Sequence, residues 1–429
     1  VYYNKSIKVY YKHYKNKTKI NIYIFYCQYI VITMTELINK QDHIELLSQG
    51  AYGCVFKNEN KNKNKPKSKE EYIIKIQQKE ETSENETLIG KKIMTIKNYK
   101  NYFAPILETE NINIKSIDDD EEIEKCDIIH NNKDPKAKYE SEKIKYVGKD
   151  TLIKYYLKIL SNYKFINIFI ENHIILLEAL EKLESAQIIH YDLKENNVMI
   201  QDTDKRPIII DFGLSIDATK PMESSFYSYY TQYAPWCIDI IFLSYMVNEV
   251  GKDWKTKSIT ANNIKIIIND FFENNPINKK LLIEDERNYW KTKLINYFNV
   301  FINKPWKTLY DELVKYCFTW DNYSIIIMYL FMIYELKLIQ YSSNTFFYDY
   351  INLLKKNLMT TPNERTTPTI LKHKILKKFN SIQIIKVQDL KKILVEQYST
   401  KEVAKKIEKN MAISIIDDKK NDQIVYKNQ

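Results

Sequence analysis

Between His190 and Gly213 the chain carries an aspartate (Asp192), a lysine two residues on (Lys194) and an asparagine five residues on (Asn197). A second aspartate, Asp211, follows two short apolar runs. Held in one place, these four side chains would supply complementary chemistry. Asp192 could take a proton from an attacking hydroxyl, and Lys194 could neutralise negative charge that develops during transfer. The amide oxygen of Asn197 and the carboxylate of Asp211 are hard oxygen donors of the kind that suit Mg²⁺. A second group lies upstream, where Gly50 and Gly53 flank a short turn and Lys75 sits inside an apolar run. Only six glycines occur in the chain, so two of them in one turn suggest backbone that must come close to a ligand.

These residues need elements to position them. Ile44-Glu-Leu-Leu47, Cys54-Val-Phe56 and Tyr72-Ile-Ile-Lys-Ile76 read as strands, and the Lys/Asn-rich run from 57 to 71 reads as a solvated loop between two of them. Apolar residues at 88, 89, 93 and 96 mark a helix over 84–96. Residues 107–143 offer little core material and an acidic block, and read as a surface insertion. Beyond them 151–186 reads as helix, 198–200 and 208–210 as short strands, and 240–380 as almost entirely helix. Strands first and helices after predict an α+β architecture in two lobes, the first over 40–145 and the second over 146–380.

His190-Tyr-Asp-Leu-Lys-Glu-Asn-Asn197 followed by Asp211-Phe-Gly213 resembles the catalytic loop and metal-binding DFG motif of protein kinases. Ser48-Gln-Gly-Ala-Tyr-Gly-Cys-Val55 is similar to the kinase glycine-rich loop, and Ile73-Ile-Lys75 to its nucleotide-lysine strand. Tyr233-Ala-Pro-Trp236, Asp321-Asn-Tyr-Ser324 and Pro362-Asn-Glu-Arg365 resemble later landmarks of the same family, so the likeness runs from about residue 44 to 377. With its helical insertion over about 237–318, the chain is similar to the divergent serine/threonine kinases of nucleocytoplasmic large DNA viruses.

The resemblance implies a kinase that uses ATP and Mg²⁺ and takes serine or threonine of a protein substrate as acceptor. Lys75 would hold the α- and β-phosphates, Asp192 would receive the hydroxyl proton, Lys194 would neutralise charge, and Asn197 and Asp211 would hold the metal. Lys75 needs an acidic partner on the helix over 84–96; at about 100° per residue Glu86 falls nearer the apolar stripe than Glu84. The adenine would lie between Val55 and Ile73 above and Met199 below, read by hinge backbone at Lys145, Tyr146 and Val147, with Gly50 and Gly53 over the phosphates. The alternatives from other classes are a pseudokinase scaffold that binds nucleotide and docks partners, and a small-molecule kinase.

Four departures from the family pattern carry expectations. Ser48 replaces the first loop glycine. Ile73 replaces an alanine over the adenine and should tighten that pocket. Tyr191 replaces the arginine that receives an activation-segment phosphate, so activity should not depend on phosphorylation between Asp211 and Pro235. Trp236 replaces a glutamate that pairs with Arg365, so Asp239 or Glu223 should take over, or Arg365 should face solvent.

The chain's 429 residues suffice for about two ordinary domains and exclude a single small module. Its net charge of +10 is unevenly spread: residues 1–33 hold six lysines and no acid, leaving only +4 elsewhere. Only three of the 65 basic residues are arginine, so specific nucleic-acid binding is not expected. No apolar run reaches the roughly 20 residues of a membrane helix, and no membrane partner is expected. The five scattered cysteines predict free thiols in a reducing, intracellular compartment, the host cytoplasm or a virion in the viral reading. Residues 1–33 read as an extension outside the fold, with Met34 the expected start, and 381–429 as a C-terminal tail.

Overall fold

The computed structural model describes residues 43–49, 53–59, 71–79, 81–112, 121–130, 137–162, 164–338 and 345–380. Gly50, the 1–33 extension and the 381–429 tail lie outside them. Five antiparallel strands open the fold: β1 (His43–Gln49), β2 (Gly53–Glu59), β3 (Tyr72–Gln78), β4 (Ile106–Ile112) and β5 (Tyr139–Lys145). Their spatial order is β1-β2-β3-β5-β4. Side chains alternate across a strand, so residues directly opposite one another share a face. One face carries Ile73, Lys75 and Gln77 of β3 opposite Ile144, Glu142 and Glu140 of β5. The other carries Ile74 and Ile76, with Phe56 and Cys54 as their partners on β2.

Two expectations change here. Residues 107–143 are no surface insertion, because their ends form β4 and β5, and β5 lies between β3 and β4. Glutamates at 108, 110, 140 and 142 disguise these strands: four of their fourteen positions are acidic, yet Glu140 and Glu142 are buried by backbone pairing on both sides. Nor are all thiols free. Cys54 and Cys126 form a disulfide across 72 residues of sequence, which no local spacing could reveal. Cys237 and Cys317 are free and buried. The segment around Cys126 is also held by polar contacts, with Asp127 N donating to Gln49 Oε1 (2.9 Å) and Leu46 N donating to Glu122 Oε2 (3.0 Å).

Helix α1 (Glu81–Met94) packs under the sheet, so close to β4 that a methyl at Gly90 would sit 2.7 Å from the Ile106 carbonyl oxygen. Its buried Ile89 and Ile93 join the larger core of the helical part. That part comprises α2 (Leu152–Ile159), α3 (Phe165–Ser185), α4 (Ile238–Asn248), α5 (Ala261–Asn274), α6 (Glu284–Asn299), α7 (Trp306–Leu313), α8 (Trp320–Glu335), α9 (Thr345–Leu358) and α10 (Pro368–Asn380). Thirteen of the sixteen residues of α8 are buried, which makes it the axis of this core. Around it Phe169 meets Tyr329 edge-on, and His173 stacks on Tyr329 while Tyr350 approaches its Nδ1 at 2.6 Å. Burial holds the His173 imidazole at a pKa of about 3, so it stays neutral and structural. The 237–318 region is core, not appendage: Phe242 of α4 stacks on Phe298 of α6 at 3.8 Å, and Phe271 and Phe272 meet Trp290 edge-on. The architecture is thus α+β, with a β-rich N-terminal sheet and a helical C-terminal part. Among the described residues no helix is long and apolar enough to cross a membrane.

Arg365 finds its partner in Asp239. Its Nη2 lies 2.6 Å from Asp239 Oδ2 and its Nη1 3.2 Å from Oδ1, while Nη1 also donates to Thr319 Oγ1 (3.1 Å). Trp320 Nε1 donates to the same carboxylate at 3.2 Å. Glu223, the other candidate, pairs with Lys255 instead. Removing one member of a fully buried pair strands the other charge, which costs about 3–5 kcal/mol. Asp239→Ala should therefore lower unfolding stability by about that amount in urea titration; a loss below about 1 kcal/mol would contradict a dry pair.

Candidate active site

The loop from His190 to Asn197 hangs from one carboxylate. Asp321, at the start of α8, accepts the backbone N–H of His190 at 2.6 Å and of Tyr191 at 2.9 Å. Burial pushes the Asp321 pKa up, and the His190 imidazole and the two backbone donors oppose it. Tyr191 takes a left-handed φ of 69°, unusual for a bulky residue, and its side chain is buried. Strand β6 (Ile188–Ile189) enters the loop, and β7 (Val198–Ile200) leaves it to pair with β8 (Pro207–Ile209). Asp211 follows that hairpin, also with a left-handed φ (64°).

Hydrogen bonds tie the loop to the Asp211 turn. The Ile210 amide donates to the Asn197 carbonyl (3.0 Å), His190 Nε2 lies 3.0 Å from the Ile210 carbonyl, and Ser215 Oγ donates to the His190 carbonyl (3.2 Å). Phe212 is buried against His190 and Phe103. Asn197 Nδ2 donates to the Asp192 carbonyl at 2.8 Å and to its Oδ2 at 2.9 Å. That commits its amide nitrogen, so Asn197 Oδ1 is the atom left for other work. Lys194 Nζ reaches both oxygens of Asp192, at 3.2 and 3.1 Å.

Lys75 comes from the sheet. Its Nζ lies 2.8 Å from Glu86 Oε2 on α1, whereas Glu84 is exposed. Burial works against the lysine's charge, but Glu142, Glu86 and Asp211 together hold its pKa above the ordinary value. Burial raises the pKa of Glu86, against the attraction of Lys75, and the Phe212 amide donates to it. Burial likewise opposes the charge on Lys194, and Asp192, Tyr233 and Asp211 raise its pKa over that cost. Asp211 therefore acts on both ammonium groups, one from each part of the fold. Glu86 and Asp211 line a cleft together with Ile73, Ala104, Ile144, Lys145, Val147, Gly148, Met199 and Ile210, whereas Lys75, Asp192, Lys194 and Asn197 are not among its lining residues.

Not every residue singled out from sequence lines this cleft. Val55 is buried on β2 as the cross-strand partner of Lys75, and Tyr146 is half-buried with its ring under Lys57. Gly53 and Gly148 answer to neighbouring backbone: an added methyl would lie 2.6 Å from the Ile76 carbonyl oxygen in the first case and 2.3 Å from that of Ile200 in the second. Among the described residues no group of three or more His, Cys, Asp or Glu side chains is arranged to hold a metal. Asn197 and Asp211 offer two oxygen donors, a set that fits Mg²⁺ when water and phosphate oxygens complete its shell.

Two residues of the site escaped the sequence reading. Glu142 approaches Lys75 to 3.4 Å from β5, hidden in a strand that looked like solvated charge. Tyr233 donates its hydroxyl to Asp192 Oδ1 and accepts from Lys194 Nζ at 3.3 Å. Trp236 packs edge-on against the Tyr233 ring at 5.1 Å and donates from Nε1 to the Tyr191 carbonyl at 3.1 Å. The one available signal was Trp236 itself, an aromatic where an acid was expected.

A hydrogen bond to an ionised acceptor contributes about 1.5–3 kcal/mol. Asp321→Ala should therefore speed amide exchange at His190 and Tyr191 at least about tenfold while leaving β3 amides unchanged; equal protection in the variant would show that the loop is held by other contacts. No family model matches this chain and no curated protein matches it, so a functional reading has to be built from these side chains.

Proposed function

We propose that the chain is a protein kinase that transfers the γ-phosphoryl group of ATP to serine or threonine of a protein substrate. The observation that carries this reading is that Asp211 acts both on Lys75, paired with Glu86 from the sheet and α1, and on Lys194, which with Asn197 is fixed against Asp192 in the helical part. Phosphoryl transfer asks little of a protein beyond positioning and charge neutralisation, and these six side chains supply both.

In this reading the adenine enters between Ile73 and Met199, beside the backbone of 145–147. Lys75 pairs with the α- and β-phosphates, its position fixed by Glu86. Mg²⁺ held by Asn197 Oδ1 and Asp211 would neutralise phosphate charge. The acceptor hydroxyl sits on Asp192, which takes its proton as the new O–P bond forms and the bond to the departing ADP oxygen breaks. Lys194, fixed against Asp192, offsets charge on the group in transit.

One observation favours a second reading. The Tyr233 hydroxyl occupies Asp192 Oδ1, the seat an acceptor hydroxyl needs. A chain in which tyrosine keeps that seat would bind nucleotide without phosphorylating proteins and act as a scaffold.

Labelled ATP, Mg²⁺ and a mixed protein substrate separate the two. Wild-type protein should label serine or threonine, and Asp192→Asn should lose at least about a hundredfold, the usual reach of a general base. Nucleotide binding with no incorporation would favour the scaffold. Tyr233→Phe frees the seat at the cost of one hydrogen bond, so incorporation should rise about fivefold or more at subsaturating substrate; a fall would mean that Tyr233 supports Asp192. Ile73 is buried and lines the cleft. Ile73→Ala should widen it and lower the KM for ATP, and a higher KM would refute the idea of a tight adenine pocket.

A further inference from the structure

Lys75 has two carboxylates where one would neutralise it, and the two are attached to different things. Glu86 rides on α1. Glu142 stands directly across from Lys75 in the pairing of β3 with β5, fully buried, with its backbone fixed by strand pairing on both sides. Gln77, two residues along β3, donates from Nε2 to Glu142 Oε1 at 2.6 Å, which turns Oε2 toward the Lys75 ammonium at 3.4 Å. Glu142 Oε2 has no hydrogen-bond partner of its own.

The charges facing Glu142 do not balance. From β3 it meets Lys75 and the neutral Gln77, from α1 Glu86, and from its own strand the buried Glu140; Asp211 adds its field at Lys75. One ammonium cannot neutralise Glu86, Glu140 and Glu142 together in a buried site, which favours the uncharged form of a carboxyl there. Glu142 is the most enclosed. Burial, opposed by Lys75 and reinforced by Glu86 and Glu140, pushes its pKa up to about 8.

We propose that Glu142 is a positioning residue for Lys75, and that its charge state sets how much of the lysine is available to the phosphates of a nucleotide. This rests on the kinase reading, which puts those phosphates at Lys75. With Glu142 neutral, Lys75 is shared only between Glu86 and the nucleotide. With Glu142 ionised, the lysine is clamped to the sheet and a further negative charge faces the phosphates. The sign follows: nucleotide binding is strongest below the Glu142 pKa and weakens as pH rises through it.

Calorimetric titration of the full chain with ATP and Mg²⁺ between pH 6.5 and 9.5 tests this. If only the neutral form binds well, Kd should weaken about tenfold per pH unit above the Glu142 pKa. Glu142→Gln should bind with a flat profile, about tenfold tighter than wild type at pH 9. Glu140→Gln, which leaves the cross-strand contact in place, should keep an alkaline limb. Gln77→Leu removes a donor that favours the anion, so its limb should move to higher pH; this variant also serves if Glu142→Gln does not fold. Identical slopes in wild type and Glu142→Gln, or an unmoved limb in Gln77→Leu, overturn the proposal and leave the kinase reading standing. A wild type that binds no nucleotide at any pH overturns the kinase reading, and this proposal with it.

Discussion

A buried carboxylate is tolerable only where donors meet it, and Asp321 sets the helical part around that requirement. It sits at the head of a helix that is apolar almost all round, so water is not available to satisfy it. The donors are the consecutive backbone amides of His190 and Tyr191. Satisfying the charge therefore fixes the backbone of the loop, not merely a side chain, and holds Tyr191 in its left-handed conformation. Asp192, Lys194 and Asn197 follow within six residues of Tyr191, so their placement is inherited from α8. The geometry of these side chains is thereby referenced to a helix with thirteen of its sixteen residues buried.

The sheet has its own reference to the same loop, through α1. Asn85 donates to the Ser215 carbonyl at 2.9 Å, and Lys92 Nζ pairs with Asp217 at 2.6 Å, so both ends of α1 are tied to the segment after Asp211. Glu86 lies between those ties. Its distance to Lys75 consequently reports the position of the 211–217 segment as well as that of the helix, and α1 couples the two parts of the fold. Glu142 is different in kind, because its contact with Lys75 is set by strand register and by the Gln77 hydrogen bond. The lysine is thus held by one partner that can move with α1 and by one that cannot.

How far the sequence could be read follows from how local each signal is. The β1–β3 strands, α1 and the 198–209 hairpin carried period-2 or helical patterning within a few residues, and they form where that patterning predicts. Clustering of Asp192, Lys194, Asn197 and Asp211 was legible because three of them lie in one loop and the fourth one hairpin away. What stayed hidden was non-local. Strands β4 and β5 hide behind glutamates, and Glu142 looked like solvent-facing charge until the strands on either side buried it. Cys54–Cys126 needs the 121–130 segment folded back on β1. Tyr233 reaches Asp192 from 41 residues away, along a segment with little regular structure.

The departures that looked separate in sequence are one change in space. The rings of Tyr191 and Trp236 lie 5.1 Å apart, and the Trp236 indole donates to the Tyr191 carbonyl. Phe226 and Trp320 extend the cluster, Phe226 meeting both Tyr191 and Trp320 edge-on. This contiguous aromatic packing supplies neither a cation to receive a phosphate nor an acid to pair with Arg365. Arg365 must then be neutralised elsewhere, and Asp239, one turn into α4 from Trp236, is the carboxylate within reach. A segment held by ring packing is organised by burial instead of by an added charge, so its order is built in at folding. This is the physical basis for expecting the segment between Asp211 and Pro235 to hold its shape without phosphorylation.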